Sequence, residues 1–124
     1  MKLLLDTHAL VWALETSPRL SRRARRLVED VGNEVIVSAA SALEVAIKKS
    51  LGRLRVPDDL AGACDAAGFT RRPIGFAEAR VLESLPWHHR DPFDRLLVSH
   101  AIVEGATLVT RDRELGAYGI ATLW

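Results

Sequence analysis

The chain has 124 residues, of which 48% are apolar and 27% are charged, the composition of one ordinary globular domain. We expect residues 1–124 to fold as a single domain, because a chain of this length buries about two-thirds of its surface. The 17 basic and 16 acidic residues give a net charge of +1, which favours no class of charged partner.

The longest apolar run, Ala9 to Leu14, has six residues, whereas a membrane helix needs roughly 18. Asp6 and His8 interrupt the start of the chain before a signal-peptide core could form. The single cysteine, Cys64, excludes a disulfide framework and a cysteine-rich zinc site. We therefore expect a soluble protein of the reducing cytoplasm.

Short apolar strands alternate with one or two helices along the chain. Apolar residues with helical spacing (Ala24, Leu27, Val28 and Val31) indicate an amphipathic helix, and Pro92 and Gly105 mark the two ends of another. In chain order the patterns predict a strand at 2–5, helices at 7–15 and 21–31, a strand at 34–37, helices at 38–51 and from Pro57 to 67, a short edge strand at 69–74, helices at 76–85 and 91–104, and strands at 107–110 and 119–123.

This alternation predicts the fold class. Short apolar strands separated by helices are typical of a parallel sheet that is covered on both faces. We therefore expect an α/β protein, a three-layer α/β/α sandwich around a parallel sheet of four to five strands.

Four acidic residues follow the predicted strands at positions that lead to one edge of this sheet. Ligands of parallel α/β sheets bind at the carboxyl ends of the strands. Asp6 and Asp112 follow the first and fourth strands, and Asp94 lies in the first turn of a long helix. Glu44 shares a helical stripe with Ala40, Ile47 and Leu51, which we expect to face other parts of the protein.

Each of these acids also fits a local structural role. Asp6 and Asp112 could cap the turns that follow them, and Asp91 fits an N-cap with Asp94 at the third position. Ser41 and Glu44 fit a capping box, and Lys48 is a possible surface partner of Glu44.

If the four acids converge, their mutual repulsion requires a cation. Two carboxylates about 6 Å apart repel by roughly 3 kcal/mol at an effective dielectric constant near 20. Oxygen ligands without cysteine or paired histidine favour Mg²⁺ or Mn²⁺ over zinc. Such a site suits the hydrolysis of phosphodiester bonds.

The histidines indicate no further catalytic motif. His8 could contact the substrate or a carboxylate, or form a local hydrogen bond. His88 and His89 are expected in the loop before Asp91, where a substrate contact is the minor alternative. His100 is expected at the helix surface or in a semi-buried, hydrogen-bonded position. Neither a nucleophile elbow nor a glycine-rich phosphate loop occurs.

Four sequence segments together resemble the PIN domain, and specifically the VapC-type toxins of prokaryotic toxin–antitoxin pairs. The segments are LLLDTHALVWAL, SAASALEVAIKKSLGRL, HRDPFDRLLVSHA and TLVTRD. The resemblance implies an endoribonuclease that uses Mg²⁺ or Mn²⁺ to cleave single-stranded RNA. It also implies a homodimer that a small VapB-like antitoxin silences.

Carried over by position, the acidic quartet of this family falls on Asp6, Glu44, Asp94 and Asp112, as catalytic and metal-binding residues. Asp94 is preferred to Asp91 because a small residue, Ala101, follows it by seven positions. Thr7 and Thr110 match polar positions that could orient the carboxylates or waters.

The sequence leaves the mode of RNA binding open. The arginines at 22, 23, 25 and 26 lie on the outward face of a predicted helix, which is either a solvated face or a contact with RNA phosphates. Trp12 is expected in the core, although an exposed Trp12 or Leu14 could contact an antitoxin.

The alternatives to a toxin are a PIN-like module that binds RNA or protein without cleavage, and a PIN nuclease of RNA maturation.

Overall fold

The computed structural model describes all 124 residues. Six helices, five strands and one 3-10 helix make up the chain. In order they are β1 (Lys2–Leu5), α1 (Thr7–Leu14), α2 (Arg22–Glu29), β2 (Glu34–Ser38), α3 (Ala39–Ser50), α4 (Leu60–Ala66), β3 (Thr70–Arg72), α5 (Phe76–Ser84), α6 (Pro92–Glu104), β4 (Thr107–Val109), the 3-10 helix (Arg113–Tyr118) and β5 (Thr122–Leu123).

All five strands are parallel and form one sheet in the order β3-β2-β1-β4-β5. The chain builds one half of the sheet outward from β1 to β3 and then returns to add β4 on the other side of β1. The strand order therefore reverses between β1 and β4. In parallel α/β sheets the crevice at such a switch point, beyond the carboxyl ends of the strands, is where ligands bind.

Two apolar cores cover the two faces of the sheet, because alternate strand residues point to opposite sides. Leu3, Leu5 and Val37 pack with α1, α2 and α4 in one core. Leu4 and Ile36 pack with α5, α6 and the 3-10 helix in the other. The predicted three-layer α/β/α sandwich is thus confirmed. Membrane-spanning helices are absent, since none combines the necessary length with sufficient apolar character.

Several element boundaries differ from the sequence prediction. The fourth helix begins at Leu60 instead of Pro57, because the Asp59 side chain accepts a hydrogen bond from the Gly62 N–H and caps the helix there. The edge strand is limited to Thr70–Arg72 and ends before Pro73. The segment from 113 to 118, where only a turn is expected, forms a 3-10 helix.

Several predictions of side-chain burial are wrong. Val31 is fully exposed, because α2 ends at Glu29 and the backbone of Asp30 is extended. On α3, Glu44 is buried as expected, but Ile47 and Leu51 on the same stripe are 50% and 59% exposed. The cap of α3 is Ser38, whose hydroxyl accepts from the Ala40 N–H, so the Ser41–Glu44 capping box does not form.

His100 is completely buried, contrary to the expected surface or semi-buried position. Its Nδ1 lies 2.8 Å from Ser38 Oγ, whereas its Nε2 has no hydrogen-bond partner. The carboxylates of Glu104 and Glu78 lie 3.6 Å and 3.9 Å from Nε2. Burial lowers the pKa of His100, although both glutamates oppose this effect. The imidazole thus links α6 to the start of α3.

Candidate active site

The four acids predicted from sequence line one cavity of about 290 Å³ at the switch point of the sheet. Asp6 directly follows β1, and Asp112 follows β4 and caps the 3-10 helix. Glu44 enters from α3, and Asp94 from the first turn of α6. The structure thus brings together four side chains that are far apart in the sequence. Asp91, His8, Trp12, Lys48, Arg111, Trp124 and Thr7 complete the lining.

Asp6 is the most deeply buried of the aspartates in the cavity, with an exposed fraction of 8%. Its Oδ1 accepts a hydrogen bond of 2.7 Å from the Ala9 N–H and so caps α1. Burial raises the pKa of Asp6, and the nearby charge of Glu44 adds to this effect. The capping role and a role in the cavity are compatible, because a carboxylate has two oxygens.

Thr110 connects Asp6 with Asp112. The Thr110 side chain lowers the pKa of Asp6 and so partly offsets the increase caused by burial. Its hydroxyl oxygen accepts a hydrogen bond of 3.1 Å from the Asp112 N–H. Thr110 therefore influences the acid that follows β1 and holds the backbone of the acid that follows β4. Thr7 also lines the cavity, and its hydroxyl lies 3.2 Å from Ser41 Oγ, a contact that joins α1 to α3.

Glu44 is held at the cavity by a short ion pair with Lys48. Lys48 Nζ lies 3.1 Å from Glu44 Oε2, and the two residues are one helical turn apart on α3. The predicted surface partnership therefore forms, and it forms at the edge of the cavity. Lys48 supplies positive charge beside a group of acids.

Asp94 is a second acid of the cavity whose pKa is raised. Burial raises the pKa of Asp94 to about 6, and the charge of Asp91 adds to the increase. Asp6 and Glu44 act in the same direction, whereas His89 lowers it. Asp91 caps α6, since its Oδ1 accepts hydrogen bonds from the N–H groups of Phe93 and Asp94. Asp91 thus takes the predicted capping role, and Asp94 lines the cavity.

His89 joins the site through contacts with two of the acids, which the sequence does not predict. Its Nδ1 accepts a hydrogen bond of 3.1 Å from the Asp91 N–H, so Nε2 carries the ring proton. Nε2 lies 3.2 Å from Asp112 Oδ2 and 3.6 Å from Asp94 Oδ2. His89 therefore bridges the acids that follow β4 and begin α6. In the sequence, the signal for this position of His89 is that it lies two residues before Asp91, which caps α6.

The donors in the cavity fit a hard divalent cation. Several carboxylates converge where burial and mutual repulsion raise the pKa values of Asp6 and Asp94, and a bound cation would relieve that repulsion. Carboxylate oxygens are the ligands that Mg²⁺ and Mn²⁺ prefer. His89, Asp112 and Glu114 also place one ligand atom each within 4.8 Å of one another. This second group shares Asp112 with the cavity and adds a nitrogen donor.

The arginine cluster on α2 is separate from this cavity. Arg22, Arg23 and Arg26 are exposed, as expected, and Arg25 pairs with Glu29 at 3.7 Å. The positive side chains that line the cavity are instead Lys48 and Arg111. Sequence periodicity does not single out Arg111, because it lies in the irregular segment after β4.

Comparisons with known proteins agree with this architecture. The model of the PIN domain family matches residues 3–120. The chain is 30% identical over 118 residues to ribonuclease VapC22 of Mycobacterium tuberculosis, covering 93% of this chain and 90% of that protein.

Solved structures of similar fold include toxin–antitoxin complexes. A chain of DNA-bound VapBC from Salmonella typhimurium has a TM-score of 0.71 and 16% identity, covering 99% of this chain and 97% of that one. A chain of VapBC2 from Rickettsia felis, bound to a DNA fragment from its promoter, has a TM-score of 0.70 and 19% identity, covering 99% and 98%. At these identities the likeness concerns the fold.

The raised pKa of Asp94 predicts a pH-dependent penalty on folding in the absence of divalent cations. The native state holds this proton more tightly than the unfolded chain, so stability falls as pH rises from about 4 to about 6. A shift from 3.8 to about 6 corresponds to at most about 3 kcal/mol. We expect Asp94→Asn to be more stable than wild type by about 1–3 kcal/mol in EDTA at pH 8, measured by urea unfolding.

The matched control is Glu83→Gln, which replaces an exposed acid on α5. This variant should unfold as wild type does at both pH 4 and pH 8. Equal or lower stability of Asp94→Asn at pH 8 would contradict the claim that burial and repulsion from the other acids destabilise the charged form of Asp94.

Proposed function

The chain belongs to the PIN domain family, and from this we propose that it is a divalent-metal-dependent endoribonuclease that cleaves single-stranded RNA as the toxin of a toxin–antitoxin pair. The observation that carries the proposal is the convergence of Asp6, Glu44, Asp94 and Asp112 in one cavity at the switch point. The similarity to a curated ribonuclease over nearly the whole chain supports the choice of RNA as substrate.

We assign the binding of Mg²⁺ or Mn²⁺ to Asp6, Glu44, Asp94 and Asp112. When bound, such a cation lowers the pKa of water and stabilises the charge that develops on phosphate oxygens. Asp6 and Asp94 supply negative charge in the cavity, while His89 contacts the carboxylate of Asp112 and Thr110 accepts a hydrogen bond from its backbone N–H. Pre-organised ligands of this kind avoid the cost of ordering the site at each turnover.

The positive side chains at the cavity supply the attraction that an acidic site needs to receive a polyanion. Lys48 lies beside Glu44, and Arg111 is exposed at the cavity. Both can contact the phosphates on either side of the bond to be cleaved. A strand whose bases are unpaired can bend into a cavity of about 290 Å³, whereas a stiff duplex cannot, which favours single-stranded RNA.

We further propose a VapB-like antitoxin as partner, a homodimer as the assembled form and the cytoplasm as the location. The solved neighbours are chains of VapBC complexes. An apolar groove of about 580 Å³ between α3 and α4 is the concave surface we assign to the antitoxin. Leu43 and Ile47 of α3 and Leu51 at its C-cap form an exposed apolar row, which supports self-association. The one cysteine is buried and unpaired, as suits a reducing compartment.

Cleavage of RNA should depend on the cavity acids. We expect Asp6→Asn and Asp94→Asn to lower the rate of cleavage of a single-stranded RNA by at least about 100-fold, because each removes a charged ligand of the cation. EDTA should abolish cleavage, and added Mg²⁺ or Mn²⁺ should restore it. The products are mapped by end-sequencing after incubation with single-stranded and hairpin RNA pools.

Glu83→Gln serves again as the control and should cleave at the wild-type rate. RNA binding without cleavage under every metal condition would overturn the nuclease assignment in favour of a binding module. Cleavage by either aspartate variant at the wild-type rate would overturn the site assignment.

The apolar row on α3 predicts how copies associate. Burial of Leu43, Ile47 and Leu51 in a dimer would stabilise it by the hydrophobic effect, so Ile47→Asp should convert a dimer to a monomer. Light scattering coupled to size exclusion measures the mass. Val103→Asp, which changes an exposed apolar residue of α6, should leave the dimer intact. A monomeric wild-type protein, or an equally dimeric Ile47→Asp, would contradict the prediction.

A further inference from the structure

Flat side chains form a group beside the acids of the cavity. His8, Trp12, Arg111 and Trp124 all line the same space as Asp6 and Asp94. None of these four is needed to bind a cation, since the carboxylates already supply the oxygen donors. Their presence in the cavity therefore calls for another role.

Trp12 contacts each of the other three side chains of this group. The indole is only 6% exposed. The imidazole of His8 stacks on it with 5.4 Å between ring centroids and 24° between planes. The guanidinium of Arg111 lies 5.1 Å from the same ring, and Trp124 meets it edge-on at 5.8 Å.

Two members of the group are exposed to solvent. His8 and Arg111 are both exposed although one side of each faces Trp12. Arg111 forms no salt bridge, and its guanidinium contacts the Trp12 ring. Two planar groups that contact Trp12 are therefore exposed at the edge of the acidic cavity.

Planar faces of this kind bind nucleobases. Unpaired bases of RNA stack on aromatic and imidazole rings and on arginine guanidinium planes, and the positive charge of Arg111 also attracts the adjoining phosphate. Because the group and the acids line one cavity, a base stacked here leaves a flanking phosphate of its own strand next to the carboxylates. The group thus aligns a strand as well as binding it.

We propose that His8 and Arg111, supported by Trp12 and Trp124, form a stacking platform for one unpaired nucleobase of the RNA substrate. The inference rests on the proposed ribonuclease function and adds to it the subsite that positions the strand. Trp87 provides a comparison within the chain, since its indole is 77% exposed and lies against Arg95 but does not line the cavity.

The test measures binding without cleavage. In the Asp94→Asn background, the probes are an oligoadenylate of eight nucleotides and an abasic ribose-phosphate oligomer of equal length and charge. We expect the abasic oligomer to bind at least about 5-fold more weakly, the lower limit for loss of one base–aromatic stack. His8→Ala and Arg111→Lys should each weaken oligoadenylate binding by about 5-fold or more, while barely changing binding of the abasic oligomer.

Two matched variants separate stacking from other effects. His8→Phe retains a flat ring and should bind oligoadenylate as the parent does, whereas Arg111→Lys retains charge and loses the plane. Trp87→Phe removes the one tryptophan outside the platform, since the chain has three. In that background oligoadenylate should quench the remaining fluorescence of Trp12 and Trp124, and the abasic oligomer should not.

The outcomes distinguish this inference from the proposed function. RNA cleavage by wild type together with equal binding of both probes would overturn the platform and leave the nuclease intact. Tight base-dependent binding that His8→Ala abolishes, with no cleavage by wild type, would support the platform and overturn the nuclease. Loss of base-dependent binding in Trp87→Ala instead of His8→Ala would assign stacking to Trp87 and overturn the platform.

Discussion

Repulsion among converging carboxylates is the constraint on which the site depends. The fold places Asp6, Glu44, Asp94 and Asp112 around one cavity, and burial there raises the pKa values of Asp6 and Asp94. Such an arrangement is unfavourable for an empty protein, and the apolar packing on both faces of the sheet supplies the stability that maintains it. A bound divalent cation would relieve this repulsion.

Each acid is held by a contact that also serves the fold. Asp6 caps α1 and Asp112 caps the 3-10 helix, so neither carboxylate can turn away without loss of a helix cap. Lys48 restrains Glu44, and His89 links Asp112 to the start of α6. Local structure and site chemistry are therefore not competing explanations of these residues, because one carboxylate oxygen can cap a helix while the other faces the cavity.

Much of this arrangement could be predicted from sequence, because it follows from where strands end. Asp6 comes directly after β1 and Asp112 three residues after the end of β4, and the carboxyl ends of parallel strands share one edge. The position of His100 could not be predicted, since its burial depends on Ser38 of a distant strand and on Glu78 of α5. The stacking of Arg111 on Trp12 likewise joins residues 99 positions apart in sequence, which no local periodicity reports. The exposure of Ile47 on α3 could not be predicted either. Helical spacing shows which residues share one side of a helix, but it does not show whether another element packs against that side.

The most direct test of a cation held by the acid quartet is the anomalous scattering of Mn²⁺ in a crystal of the wild-type protein. We expect a peak within bonding distance, about 2.0–2.3 Å, of carboxylate oxygens of Asp6 and Asp94, and the absence of that peak in a crystal of Asp94→Asn prepared in the same way. A crystal with Mn²⁺ bound only by His89, Asp112 and Glu114, or with no peak in the cavity at saturating Mn²⁺, would contradict it.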